Sequence, residues 1–348
     1  MPNIEPRKNI STLYTNIKTI IDTSKEQATI QLNNTMVLSY WDIGRELKEE
    51  ILKEKRATYG KEVVKKISEK LSLEYGRGYS KASLLRMIQV YTIFSEKEIV
   101  ATLSRQFSWS HFVEFIKVKE ELKREFYITM SAHESWNVRT LRERVNSMLF
   151  ERTAISKKPE KTIRQDLETL NSENKMSTSL FLRDPCLLNF LELEESYSER
   201  DLESAILLEL EKFILEFGND FAFLARQKRI QIGNNDYVMD LLFYHRKLKR
   251  LVLIELKIGE FIPQDKGQVE LYLKWLSKYE KQEGEEEPIA IILCASKENE
   301  VVELMDLERD NIHVSEYWLQ LPPKELLEKK LHRAIERVGL LENAQGDI

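Results

Sequence analysis

The sequence predicts two parts of different class: an all-helical N-terminal region and a C-terminal α/β domain with a central mixed sheet. Three observations carry that prediction. Apolar residues recur every three or four positions through the first 150 residues, which is the helical period. From about residue 180, short apolar runs bounded by turn residues alternate with amphipathic stretches, the pattern of a sheet covered by helices. The net charge of −5 also divides unevenly, +7 over residues 1–180 and −12 over residues 181–348.

Residues 34–55 open the helical part, with Val37, Tyr40, Trp41, Ile43, Leu47 and Ile51 at helical spacing. Tyr59-Gly60 breaks the pattern before a second helix, from about Lys61 to Tyr75, which carries Val64, Ile67, Leu71 and Leu73. Gly76-Arg77-Gly78 ends that helix, because paired glycines accept the left-handed backbone of a tight turn. Ser80 is the expected N-cap of a third helix, 81–95, bearing Leu84, Leu85, Ile88, Val90 and Tyr91. Helix, glycine turn and capped helix outline a helix-turn-helix, and a plain helical hairpin in a bundle fits the same pattern. Further helices are expected over 110–130 and 137–150.

The basic excess makes residues 1–150 the candidate DNA-binding or dimerisation domain. Residues 60–90 carry seven basic side chains against three acidic ones, and Arg77, Lys81 and Arg86 flank the turn as candidate DNA contacts. An ordinary solvated helix face is the alternative. Residues 151–180 hold few large apolar side chains and read as a linker, either flexible or a lone polar helix.

In the C-terminal part, residues 181–348, Ser198-Glu199-Arg200-Asp201 has capping-box spacing and opens a helix that runs to Phe217 and ends at Gly218. Strands are expected at 221–232 and 237–244, joined by Gly233-Asn234-Asn235-Asp236, and a third at Arg250–Lys257 after a short basic turn. An amphipathic helix follows at 264–280, then a buried strand at 288–295, a weak strand at 312–317 and a helix at 323–339.

Composition narrows the function. Two cysteines, Cys186 and Cys294, exclude a disulfide scaffold and a cysteine-rich zinc module, and the five histidines show no ligand spacing. No apolar run approaches the ~20 residues that span a bilayer, and the N-terminus lacks the apolar core of a secretory signal. A cytoplasmic protein with no membrane partner is expected. Neither a GxxxxGK[ST] loop nor a GxSxG elbow occurs, which argues against an NTP-driven enzyme or an elbow-type hydrolase.

The tripeptide Glu-Leu-Lys occurs at 46–48, 121–123 and 255–257, so the bare motif means little. Only the third copy ends a strand. There Glu255 and Lys257 project to the same side, roughly 6.6 Å apart along the chain. Antiparallel pairing about residue 247 brings Asp240 opposite residue 254, beside Glu255. Two converging carboxylates make a hard-oxygen site suited to Mg²⁺ or Mn²⁺, and a neighbouring lysine can stabilise a phosphoryl transition state. A lysine–carboxylate ion pair closing the sheet end is the competing reading.

The order of helix, strand with Asp, strand ending Glu-x-Lys, and helix resembles the PD-(D/E)xK nuclease superfamily. Long stretches are similar to one group within it, the YhcG family of bacterial proteins. They are Tyr40–Leu47 (YWDIGREL), Tyr75–Ser83 (YGRGYSKAS), Phe107–Phe112 (FSWSHF), Ser198–Glu203 (SERDLE), Asp240–His245 (DLLFYH), Val252–Phe261 (VLIELKIGEF) and Leu293–Lys297 (LCASK). The resemblance implies a restriction-endonuclease-like C-terminal domain that hydrolyses phosphodiester bonds in DNA with Mg²⁺ or Mn²⁺. It implies Asp240 and Glu255 as metal-binding carboxylates and Lys257 as the catalytic lysine. Met239 stands where the motif's name has proline. Glu203 matches the acidic residue of the first core helix, and favourable placement near a helix N-terminus is its bland alternative. Gln268 and Tyr272 match a Gln-x-x-x-Tyr spacing of RecB-like nucleases, and Tyr272 also fits a plain apolar stripe. A DNA-binding or scaffold protein that keeps the fold without cutting is the alternative function. Oligomeric state stays open, since enzymes that cut both strands are often dimers.

Overall fold

The computed structural model describes residues 10–53, 57–155, 160–173, 184–191, 193, 196–218, 220–323 and 327. They form two compact units that divide between Arg142 and Glu143.

The first unit is helical: α1 (Ile10–Lys53), α2 (Ala57–Tyr75), α3 (Lys81–Ile93), α4 (Lys97–Leu103), α5 (Trp109–Phe115), α6 (Glu121–His133) and the start of α7 (Val138–Asn146). The first helix is far longer than the expected 34–55. Its C-terminal half buries Val37, Trp41 and Leu47, whereas Leu13, Tyr14, Ile17, Ile20 and Ile21 of the N-terminal half stay exposed. Gly44 is where α1 meets α3. A Cβ there would collide with the Met87 carbonyl and come within 3.1 Å of the Ile88 nitrogen, so only glycine allows this approach. Trp41 locks the same region, its Nε1–H donating to the Phe94 carbonyl at 2.6 Å.

Tyr59-Gly60 lies inside α2 rather than before it, since the helix already runs from Ala57. The turn is as expected: Gly76 takes φ 89°, Arg77–Tyr79 form one 3-10 turn, and the Ser80 side chain accepts from the Ser83 N–H. The single helix expected over 110–130 is two, α5 and α6, separated at 116–120. Arg124 closes that corner by donating to the Val118 and Lys119 carbonyls. No glycine or proline marks the corner in the sequence.

The second unit holds the rest of α7, α8 (Leu149–Ile155), α9 (Glu160–Glu173), β1 (Cys186–Leu187), α10 (Glu199–Leu208), α11 (Leu210–Phe217), β2 (Phe221–Ile232), β3 (Asn235–His245), β4 (Arg250–Glu260), α12 (Pro263–Tyr279), β5 (Ile289–Ser296), α13 (Asn299–Leu304) and β6 (Ile312–Trp318). The stretch read as a linker contains α9, whose Ile163, Leu167 and Leu170 are buried. The helix expected over 323–339 lies outside the described residues apart from 323 and 327.

The six strands form one mixed sheet in the order β1-β6-β5-β4-β3-β2. β2, β3 and β4 run antiparallel through tight turns, and β4, β5, β6 and β1 run parallel. Helix α12 is the crossover that parallel pairing of β4 and β5 requires. It covers one sheet face, packing Val269, Tyr272, Leu273 and Leu276 on Leu251, Leu253, Ala290 and Ile292. Phe213 and Phe217 of α11 stack against Phe221 and Phe243. Buried Glu216 is held by Arg152 at 2.5 Å, Arg144 at 2.6 Å and the Leu187 N–H at 3.0 Å. Burial would raise its carboxyl, but the two guanidinium groups keep it below the usual range.

Candidate active site

The β2–β3–β4 meander carries a bulge on β2 between Phe223 and Ala225 and, further along, a break in its pairing. Strands β3 and β4 pair from His245↔Arg250 to Leu241↔Ile254 and then open where Asp240 faces Glu255. Strands β2 and β3 pair at Arg226↔Leu241 and again at Lys228↔Met239, leaving Gln227 opposite Asp240. Asp240 therefore sits at a gap in both of its ladders.

Carboxylates fill that gap. The Asp240 N–H donates to Glu255 Oε1 at 3.2 Å, and the Leu256 N–H donates to Asp240 Oδ2 at 2.9 Å. Each acid group thus satisfies a backbone donor that ordinary pairing would have served. The strands also change their alternation here. Ala225 and Leu242 pack on the α12 side, but so do Ile230 and Met239, which reverses the inward parity on both strands between those positions. Gln227 makes the reversal on β2 with φ 43°, a left-handed backbone that non-glycine residues seldom adopt.

Glu203 reaches the same place from α10. The Ser198 cap starts that helix, with the Asp201 carboxylate accepting from the Ser198 N–H at 2.8 Å. Glu203 is buried, and Gln227 Nε2 donates to its Oε2 at 2.7 Å and to Asp240 Oδ1 at 3.0 Å. Its Oε1 is buried without a hydrogen-bond partner, and the guanidinium of Arg226 stands 3.6 Å away. Gln227 carries no mark in the sequence, where it lies between Arg226 and Lys228 in a strand of mixed polarity.

The electrostatics follow from this crowding. Burial first, and then the charge of Asp240, push the Glu255 carboxyl up to about 8. Lys257 and the Asp240 N–H oppose the rise. Glu203 is raised as well, by burial and then by Asp240, with Arg226 and Gln227 opposing. Lys257 is half-buried, two residues beyond Glu255 on β4, and pairs in register with Cys294 of β5.

Tyr272 and Gln268 share a face of α12, as their spacing requires. Gln268 Nε2 donates to the Tyr272 hydroxyl at 2.6 Å, which donates to the Val238 carbonyl at 2.9 Å. The Tyr272 ring belongs to the core, so it is tied to the strand that carries Asp240 without bonding to the carboxylates. Arg77, Lys81 and Arg86 lie in the other unit and are exposed. No ion pair engages them among the described residues.

Among the described residues, no three His, Cys, Asp or Glu side chains converge closely enough to form an all-protein metal cage. The donor set nevertheless suits a divalent ion. Mg²⁺ is commonly held by one or two carboxylates, with waters and substrate phosphates completing its shell. Asp240 and Glu255 supply two, and Glu203 Oε1 is buried without a hydrogen-bond donor, with only the exposed Arg226 guanidinium 3.6 Å away. A cleft of about 320 Å³ lined by Glu270, Lys274, Ser277 and Asp310 includes none of these groups. No helix among the described residues is long and apolar enough to cross a membrane.

A mixed sheet with Asp on one central strand, Glu-x-Lys on the next and a glutamate on the preceding helix defines a nuclease domain of the PD-(D/E)xK class. Comparison with known proteins agrees. A family model described as the YhcG PDDEXK nuclease domain matches residues 179–332, and one described as the DUF1016 N-terminal domain matches residues 16–152. The Escherichia coli (strain K12) protein named "Putative nuclease YhcG" is 32% identical over 345 residues, covering 90% of this chain and 91% of that protein. The chain belongs to the YhcG family. Among solved structures, a repair endonuclease from Pyrococcus abyssi overlaps 37% of this chain and 50% of its own, at 21% identity and TM-score 0.26. An EndoMS–dsDNA complex overlaps 38% of this chain and 49% of its own, at 20% identity and TM-score 0.27. Structural likenesses this slight carry no functional weight.

Proposed function

We propose that the chain is a divalent-metal-dependent nuclease that cuts DNA, with its chemistry at Asp240, Glu255 and Lys257. The observation that carries this reading is the opening of the β3–β4 ladder where those two carboxylates face each other. A structural ion pair has no need to break two ladders or to crowd a second carboxylate against the first. Such crowding is costly without a cation and favourable with one.

Asp240 and Glu255 would hold Mg²⁺ or Mn²⁺. When bound, the ion supplies Lewis-acid stabilisation of a phosphate and a more acidic water. Glu255, with its carboxyl near 8, gives up a proton on becoming a ligand. The Lys257 ammonium, on the same strand edge, is suited to the charge that grows on the phosphoryl oxygens in the transition state. Tyr272 and Gln268 act at one remove, fixing the Val238 carbonyl and hence the start of the Asp240 segment. The acidic second unit gains little from a phosphate backbone, so the basic first unit supplies most of the DNA affinity, through Arg77, Lys81 and Arg86.

The test is cleavage by purified protein. Plasmid DNA is cut with Mg²⁺ or Mn²⁺ and spared in EDTA, and Asp240→Ala and Lys257→Ala abolish cutting. Cutting that persists in both variants removes the assignment. Uncut DNA that is still bound tightly favours a DNA-binding protein with an idle nuclease fold.

A further inference from the structure

We propose that Gln227 is a positioning residue: its side-chain amide bridges Glu203 and Asp240 and so holds Asp240 in place for the divalent ion. This inference rests on the reading of Asp240 and Glu255 as ion ligands and extends it to the helix α10.

The geometry has three parts. A single amide nitrogen bridges two carboxylates, at 2.7 Å to Glu203 Oε2 and 3.0 Å to Asp240 Oδ1. An NH₂ group has two hydrogens and no charge, so it can draw two anions together without neutralising either. The bridge consumes only Oε2 of Glu203. Its Oε1 is left buried and without a hydrogen-bond partner, with Arg226 3.6 Å away and that guanidinium 60% exposed to water. A buried carboxylate oxygen with no donor is an unfavourable state that a cation would relieve.

The backbone supplies the third part. Gln227 holds φ 43° in a strand, where the left-handed region costs a side chain that glycine would not have. That conformation accompanies the reversed alternation of β2, and the side chain reaches Glu203 of α10. If the strand needed only the kink, glycine would serve better. The bridging amide is the reason for glutamine at this position. Groups in the outer sphere of a metal commonly govern its affinity by orienting the ligands they touch.

Calorimetric titration of the full chain with MnCl₂ and with MgCl₂ tests this, alongside thermal melting of the ion-free protein. Gln227→Leu and Gln227→Gly weaken ion binding by about 10–100-fold, the range typical of outer-sphere partners. Glu203→Gln weakens it similarly, and the Gln227→Leu/Glu203→Gln double variant is no worse than the poorer single variant, because the two act as one unit. Gln227→Gly loses the amide but takes φ 43° freely, so its ion-free melting point falls less than that of Gln227→Leu. A purely structural glutamine predicts a lower melting point with unchanged ion affinity. Wild-type affinity in both Gln227 variants, or full additivity in the double variant, overturns the inference while leaving Asp240 and Glu255 in place. A wild type that binds no ion, or binds it equally well with Asp240→Asn, removes the parent reading and this one together.

Discussion

Replacing Glu255 by Gln in the ion-free protein removes the pH dependence that this carboxyl imposes on stability. Glu255 moves from an ordinary 4.5 to about 8 on folding, chiefly because it is buried and secondly because Asp240 is near. Above 4.5 the unfolded chain releases this proton while the folded chain keeps it, so stability falls as pH rises, and the loss is complete only above about 8. At 1.36 kcal/mol per decade the penalty grows by roughly 3 kcal/mol between pH 5.5 and 8.5, with relaxation of the site lowering this toward about 1.5 kcal/mol. Glutamine keeps an acceptor for the Asp240 N–H but cannot ionise. Urea unfolding in EDTA, followed on the sheet-containing unit, is the assay. Glu255→Gln is expected to gain on the wild type by that amount from pH 5.5 to 8.5. Adding millimolar Mn²⁺ at the higher pH narrows the gap, because only the wild type offers both ligands. Stability curves that stay parallel from pH 5.5 to 8.5 would refute the burial and like-charge reasoning.

Gly44→Ala drives a methyl group into the Met87 carbonyl and lowers the stability of the helical unit by about 1–3 kcal/mol, read by thermal melting, with Mn²⁺ titration of the other unit unchanged. Lys257→Met leaves Mn²⁺ affinity within a few-fold and cuts the cleavage rate by about 10²–10³, since a charge aimed at the transition state is lost; a large loss of ion affinity would mark Lys257 as structural. Arg77→Glu/Lys81→Glu/Arg86→Glu weakens DNA binding and flattens its dependence on salt, measured by fluorescence anisotropy from 50 to about 200 mM salt. An unchanged slope would free those side chains of any role.

The register of the site was legible because a short connection between two β-rich runs leaves little freedom in pairing. Counting outward from residue 247 set Asp240 beside Glu255, and the structure has Leu241 opposite Ile254, which makes Asp240 face Glu255. The gap itself was not legible, since it depends on side chains replacing ladder bonds. Gln227 was hidden because a left-handed backbone is signalled in sequence by glycine or asparagine, and neither stands there. The N-terminal half of α1 escaped notice for a geometric reason. Ile17 and Ile21 lie about half a turn around the helix from Val37 and Trp41, so no one apolar stripe runs its whole length. In α9, three residues at four- and three-residue spacing, Ile163, Leu167 and Leu170, suffice to bury a face that composition alone made look polar.

Manganese soaked into crystals of the full chain, located by its anomalous scattering, shows whether the gap between the strands holds an ion. The expected result is a single strong peak bounded by Asp240 and Glu255, with Glu203 alongside, that disappears in Asp240→Asn. A protein that cuts DNA while its manganese lies elsewhere, or that shows no peak at this gap at saturating ion, would contradict it.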